Sequence, residues 1–210
     1  MSSDSHTGQV IILNGTPRSG KTTIAKLIQA EFDGPWMDLG LDTYVRAATP
    51  ERYRPGIALE PGATREDLEE LIPLFYAALY ESIAMHSAFG LNVVADLCHH
   101  DDYSRPLGIL PDCARRLEDL PVLFVGVRCP TDVLKTRQDG DDRTVGDLAR
   151  WEEAVHQPGL YDLEVDTSQL TPAECVAAIR RQLEAGIPQP SAFQRLTEQH
   201  LTPAPLALDE

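Results

Sequence analysis

Three observations predict an α/β fold with a five-stranded parallel sheet and helices on both faces. A short apolar run, Val10-Ile11-Ile12-Leu13, stops at Asn14-Gly15 and gives way to a helical pattern. Four more short runs of strand character follow at 36–39, 93–95, 122–127 and 161–166, with helical patterns between them. Alternation of that kind favours parallel strands covered on both sides. The junction after the first run reads Gly15-Thr16-Pro17-Arg18-Ser19-Gly20-Lys21-Thr22-Thr23, which contains G-x-x-x-x-G-K-[ST] in the expected strand–loop–helix setting. That motif narrows the class to the P-loop NTPases.

In chain order, residues 10–13 form the first strand and 21–32 the first helix, with Ile24, Leu27, Ile28 and Phe32 on one face. Gly34-Pro35 ends it, and Trp36, Met37 and Leu39 make a second strand. Residues 46–62 are rich in Arg, Pro, Gly and Glu without a steady period, which suits an inserted loop over the site. Thr64-x-x-Asp67 has the form of a capping box, and Leu68 to Ile83 keep helical spacing, with Pro73 expected to kink or divide that helix. Val93-Val94-Ala95 forms a buried strand ending at Asp96, and a loop with Asp101, Asp102 and Pro106 leads to a helix ending near Asp119. Pro121 opens the strand that delivers Arg128.

A short helix over 132–137 breaks at Asp139-Gly140-Asp141-Asp142, and Thr144-x-x-Asp147 is expected to cap the next. Tyr161 to Asp166 alternates as a fifth strand. Thr171-Pro172-Ala173-Glu174 opens the last predicted helix, which Gly186 and Pro188 end. The predicted P-loop domain is thus 1–186, with an insertion over the site at 44–75 and a lid at 137–147. Residues 187–210 carry Pro188, Pro190, Pro203 and Pro205 and are expected outside the compact core, either disordered or packed on a second subunit. A homo-oligomer is therefore left open.

Composition bounds the function. With 210 residues and 42% hydrophobic content, one domain can build a substantial core. A formal charge of −15 disfavours a nucleic-acid partner, which would need a broad basic surface. The four cysteines are scattered, with no C-x-x-C pair, which argues against zinc and suits reduced thiols. The N-terminus lacks an apolar signal core, and no apolar run approaches membrane-spanning length. These features predict a cytoplasmic protein with no membrane partner.

The phosphate loop implies a nucleoside triphosphate and Mg²⁺ as cofactors. Gly15 and Gly20 allow positive φ and turn backbone N–H groups inward, Lys21 reaches the β- and γ-phosphates, and the Thr22 hydroxyl can ligate the metal. Asp96, ending a strand, is a second candidate for Mg²⁺ or its waters. Asp42 lies just past the second strand, where it either takes the proton of an attacking alcohol or caps a helix. Arg137 and Arg143 flank the Asp/Gly-rich break and suit a lid that closes positive charge over phosphate; Arg128 and Arg150 are alternatives. His99 and His100 are adjacent at a strand end and so face opposite ways, which disfavours a shared metal and leaves them as candidates to line an acceptor pocket. Tyr44, Arg46, Tyr53 and Arg54 are further candidates to contact the acceptor or to be simply solvated loop residues.

Ile-Ile-Leu-Asn-Gly at 11–15, Gly-Leu-Asp-Thr at 40–43, Val-Gly-Val-Arg-Cys at 125–129, Val155-His156 and Tyr-Asp-Leu-Glu-Val-Asp-Thr at 161–167 together resemble the chloramphenicol phosphotransferases, in order over most of 9–185. The resemblance implies an adenylate-kinase-like core and an ATP- and Mg²⁺-dependent kinase that phosphorylates an antibiotic hydroxyl. It implies that Asp42 is the base and that lid arginines fall near Arg137 and Arg143. The sequence departs from the family in the lid, which reads Arg-Gln-Asp-Gly-Asp-Asp-Arg and is one residue shorter, and in the 44–75 segment. The reading that follows is an O-phosphotransferase acting on a small-molecule hydroxyl, in antibiotic resistance or self-resistance. A metabolic or nucleotide kinase is the alternative within the enzymes, and a non-catalytic ATP-binding regulator the alternative outside them.

Overall fold

The computed structural model describes residues 7–41, 43–44, 49–54, 66–138 and 147–201. Five strands, β1 (Val10–Asn14), β2 (Trp36–Asp38), β3 (Asn92–Leu97), β4 (Val122–Arg128) and β5 (Leu163–Asp166), form one sheet in the order β2-β3-β1-β4-β5. All its pairings are parallel. β1 sits at the centre, with Leu13 opposite Asp96 of β3 and Val125 of β4. Order and direction place the carboxyl ends of β1, β3 and β4 side by side, the usual ligand edge of such a sheet.

The inner strands β1, β3 and β4 are largely apolar because both faces are buried, whereas the edge strands β2 and β5 carry Asp38, Glu164 and Asp166. Val10, Ile12, Val93, Ala95, Val122 and Phe124 face one core with α3 (Ile72–Ala88), α4 (Ile109–Leu117) and α8 (Ala192–Leu201). Ile11, Leu13, Val94, Leu123 and Val125 face the other with α1 (Lys21–Glu31) and α7 (Pro172–Ala185). The period-2 alternation of strand side chains produces this division directly.

Pro73 does divide the helical stretch predicted there. It lies in the first turn of α3, where a missing N–H costs nothing, and separates it from the short α2 (Glu66–Glu69). β3 runs one residue past the predicted end, to Leu97, so Asp96 is its last residue but one. The next two helices are α5 (Thr131–Gln138) and α6 (Leu148–Val155). Asp147 itself caps α6, its carboxylate accepting the N–H groups of Ala149 (3.0 Å) and Arg150 (3.2 Å). Thr144, the predicted cap, lies outside the described residues.

The capping box of α7 is present as expected. Glu174 Oε2 accepts the Thr171 N–H at 2.8 Å, and Thr171 Oγ1 accepts the Glu174 N–H. Thr171→Ala is expected to lower stability by about 1 kcal/mol in urea unfolding; an unchanged midpoint would show that α7 is held by packing alone.

Residues 187–210 require a correction as far as they are described. Ala192, Phe193 and Leu196 of α8 are buried in the first core, Phe193 being only 1% exposed. Asp162 explains the placement: one carboxylate oxygen accepts the Ala192 N–H at 2.6 Å and the other the Phe124 N–H at 2.9 Å, so α8 starts against β4.

Candidate active site

The phosphate loop connects β1 to α1 at the carboxyl edge of the sheet. Gly15 is required by close approach, since a Cβ there would stand 2.4 Å from the carbonyl oxygen of Val127. Gly20 is left-handed at φ 99°, and Arg18 shares that region at φ 69°. These reversals turn successive N–H groups to one side and form an anion-binding concavity. Gly20 provides no side-chain cap for α1, so the first-turn N–H groups of that helix remain available to an anion. Ser19 Oγ is buried without a hydrogen-bond partner among the described residues. A polar ligand in the loop suits such an orphaned hydroxyl.

Lys21 is folded into the loop. Its ammonium donates to the carbonyl oxygens of Gly15 (2.7 Å) and Thr16 (2.8 Å), and the residue is 7% exposed. A phosphate must therefore compete for a lysine that already has partners.

The Thr22 hydroxyl donates to Asp96 Oδ2 at 2.6 Å. The two oxygens are hard donors of the kind Mg²⁺ prefers, with few protein ligands and room for phosphate oxygens. Among the described residues, no group of three or more His, Cys, Asp or Glu gathers as a metal cage. Gly40 lets the chain after β2 pass against Asp96: a Cβ there would lie 1.8 Å from Asp96 Oδ1.

Asp38, absent from the sequence-based candidates, lies beside this pair. It accepts the Gly40 N–H at 3.1 Å. Burial pushes its carboxyl above the ordinary value and the charge of Asp96 adds to the effect, outweighing the Gly40 bond. Its signal in the sequence was slight, a single carboxylate at the end of a three-residue strand.

Arg137, at the end of α5, reaches the outer side of the loop. It donates to the Arg18 carbonyl at 3.1 Å and to the Thr167 carbonyl at 2.8 Å, and Thr167 Oγ1 in turn donates to Ser19 O at 2.8 Å. The structure thus brings Arg137 to the phosphate loop. The other two arginines considered are committed elsewhere. Arg150 makes a bidentate pair with Asp102 (2.5 and 2.8 Å), and Arg128 pairs with Glu164 at 2.6 Å. Asp42, Arg46 and Arg143 lie outside the described residues.

His99 is not a pocket residue. It is fully buried, its Nε2 is 2.8 Å from the Tyr80 hydroxyl, and its ring packs among Tyr76, Tyr80 and Phe124. Burial, with a smaller effect of His100, pushes its pKa down to about 3, so it stays neutral. His100 stacks on Tyr103 at 4.4 Å between ring centres and meets the edge of Trp151; it too is buried. Of the insertion candidates, Tyr44 is half-buried against the first core, while Tyr53 and Arg54 are exposed at a short 3₁₀ turn. Arg54 donates to the Thr49 carbonyl.

A polar cluster on the other side of the loop was not foreseen. The Thr16 hydroxyl donates to the carboxylate of Glu152 on α6. Asn14, the last residue of β1, donates to the Val155 carbonyl (2.9 Å) and the Tyr161 hydroxyl (3.0 Å) and accepts the His99 N–H (2.8 Å). These contacts join residues more than eighty positions apart and leave no local pattern to read.

A sequence model of the family described as "Chloramphenicol phosphotransferase-like protein" matches residues 8–184. Two relatives in Mycobacterium tuberculosis, from strains CDC 1551 / Oshkosh and H37Rv, carry the name O-phosphotransferase. Each is 30% identical over an alignment covering 93% of this chain and 90% of the relative. Solved structures with the same fold include a sugar kinase from Janibacter sp. HTCC2649, 17% identical with a TM-score of 0.60 over 84% of this chain and 95% of that one. Another is the Mycobacterium tuberculosis APS kinase CysC in complex with AMPPNP and APS, 13% identical with a TM-score of 0.58 over 85% and 98%. At those identities the likeness concerns the fold. Among the described residues, no helix is long and apolar enough to cross a membrane.

Proposed function

The chain belongs to the chloramphenicol phosphotransferase-like family, and from that premise we propose that it transfers the γ-phosphate of ATP to a hydroxyl group of a small molecule, with an antibiotic or related natural product as acceptor. The observation that carries this reading is the gathering of Lys21, the Thr22–Asp96 pair and Asp38 on one edge of the sheet. One side of that edge receives an anion and the other presents carboxylates to whatever approaches it.

The loop N–H groups and the start of α1 hold the β-phosphate. Lys21 exchanges its carbonyl partners for phosphate oxygens and stabilises the charge that spreads over them during transfer. Thr22 and Asp96 would hold Mg²⁺, which would offset the negative charge of the phosphates. Asp42 orients the acceptor hydroxyl and takes its proton. Because the transition state is loose, an ordinary carboxylate basicity serves for that late proton transfer.

The direct test is mass spectrometry after incubation with ATP, Mg²⁺ and a panel of hydroxylated antibiotics, chloramphenicol included, alongside small metabolites and nucleoside monophosphates. One antibiotic is expected to gain a phosphoryl group, and Lys21→Ala to lower that product about 10²–10³-fold. Phosphorylation confined to the metabolites or nucleotides would assign a metabolic kinase instead. ATP binding with no phosphorylated product anywhere would favour a nucleotide-binding regulator.

A further inference from the structure

We propose that Glu152 is a positioning residue for the phosphate loop, acting through Thr16 to fix the loop backbone in the shape that receives the nucleotide. The inference builds on the reading of that loop as a nucleotide site and does not depend on the acceptor.

Thr16 is the second residue of the loop and is fully buried. Its hydroxyl donates to Glu152, while its carbonyl oxygen accepts Lys21 Nζ at 2.8 Å. One residue therefore links helix α6 to the loop lysine. Glu152 is itself firmly seated. Its second carboxylate oxygen stands 3.3 Å from His156 Nε2, and His156 Nδ1 lies 2.7 Å from the Tyr161 hydroxyl. That hydroxyl accepts Asn14 Nδ2, and Asn14 also donates to the carbonyl of Val155, in the last turn of α6. The carboxylate thus belongs to a half-buried network anchored on the end of β1. Burial alone would raise the Glu152 carboxyl, but the contacts from His156 and Thr16 and the charges of His156 and Arg128 hold it below the ordinary value.

A carboxylate beside an anion-binding loop is a cost to binding by simple charge repulsion. Its chemistry fits a mechanical role better. An ionised acceptor makes the stronger hydrogen bond to a hydroxyl, and it accepts only, so the Thr16 proton has one fixed direction. The loop is gripped a second time by Arg137 of α5, which donates to the Arg18 carbonyl. The two helices on either side of residues 139–146 therefore each place a hydrogen bond on the loop, at its second and fourth residues.

The test is a double-mutant cycle read as the dissociation constant for AMPPNP, measured by calorimetry below the unfolding temperature of every variant. Thr16→Val and Glu152→Ala are each expected to weaken binding about tenfold, and the double variant to bind no worse than either single one. Thr16→Ser and Glu152→Gln keep a hydroxyl donor and an oxygen acceptor respectively, and are expected to restore most of the affinity. Thr16→Val nearly conserves volume, so with Thr16→Ser as its rescue it keeps the test open should Glu152→Ala fail to fold. Multiplicative losses in the double variant, unchanged affinity in the single variants, or no recovery with serine would overturn the proposal. Wild-type protein that failed to bind AMPPNP would remove the nucleotide-site reading itself. A normal wild-type constant with an additive cycle would remove only the role of Glu152.

Discussion

Asp42→Asn is expected to lower turnover about 10²–10⁴-fold while leaving affinity for AMPPNP unchanged. The substitution keeps size and shape and removes only the capacity to take a proton. A loss confined to kcat would mark an interaction made at the chemical step rather than in binding. The chain leading to Asp42 leaves β2 through Asp38 and passes close against Asp96 at Gly40. Asp38 is the internal competitor for the role. Its carboxyl is raised by burial and by Asp96, and asparagine there could still accept the Gly40 N–H. Asp38→Asn is accordingly expected to cost much less than Asp42→Asn. The reverse order would transfer the base to Asp38.

Phe193→Ala is expected to destabilise the protein by about 3–5 kcal/mol. The ring is buried, lies 5.0 Å from that of Phe124 between centres, and shares the first core with Leu196 and Ala192. Removing it leaves a cavity against a central strand, where parallel pairing on both sides limits collapse. For a chain of this size the melting temperature should fall by about 6–20 °C. A loss below about 1 kcal/mol would mean that α8 rests on the domain without being part of its core.

The phosphate loop was legible because its geometry admits few residue types: Gly15 faces the Val127 carbonyl and Gly20 needs positive φ, so the spacing itself encodes the structure. The sheet was legible for a related reason, since two buried faces force continuous apolar runs. The end of the chain is hard to read in sequence because Pro188 and Pro190 stand just before the helical spacing of Phe193 and Leu196. Those two residues already marked one helix face, and Asp162 supplies the turn that brings it home. His99 was misread because β3 continues to Leu97, so the chain leaves the sheet later than expected and the histidine turns into the aromatic core. The Thr16–Glu152 contact joins positions 136 apart, and nothing local to either residue announces it.

The burial of α8 has a consequence for how the chain is made. Among the described residues, the core on the α1/α7 face uses none beyond Leu183, so it can close before the following residues are in place. The opposite core waits for Phe193 and Leu196. At about 5–20 residues per second the delay is short, but a premature stop anywhere between 186 and 192 would make it permanent. Such a product would carry an intact phosphate loop together with uncovered Phe124, and is expected to be recovered with chaperones or in aggregates rather than as a weaker enzyme.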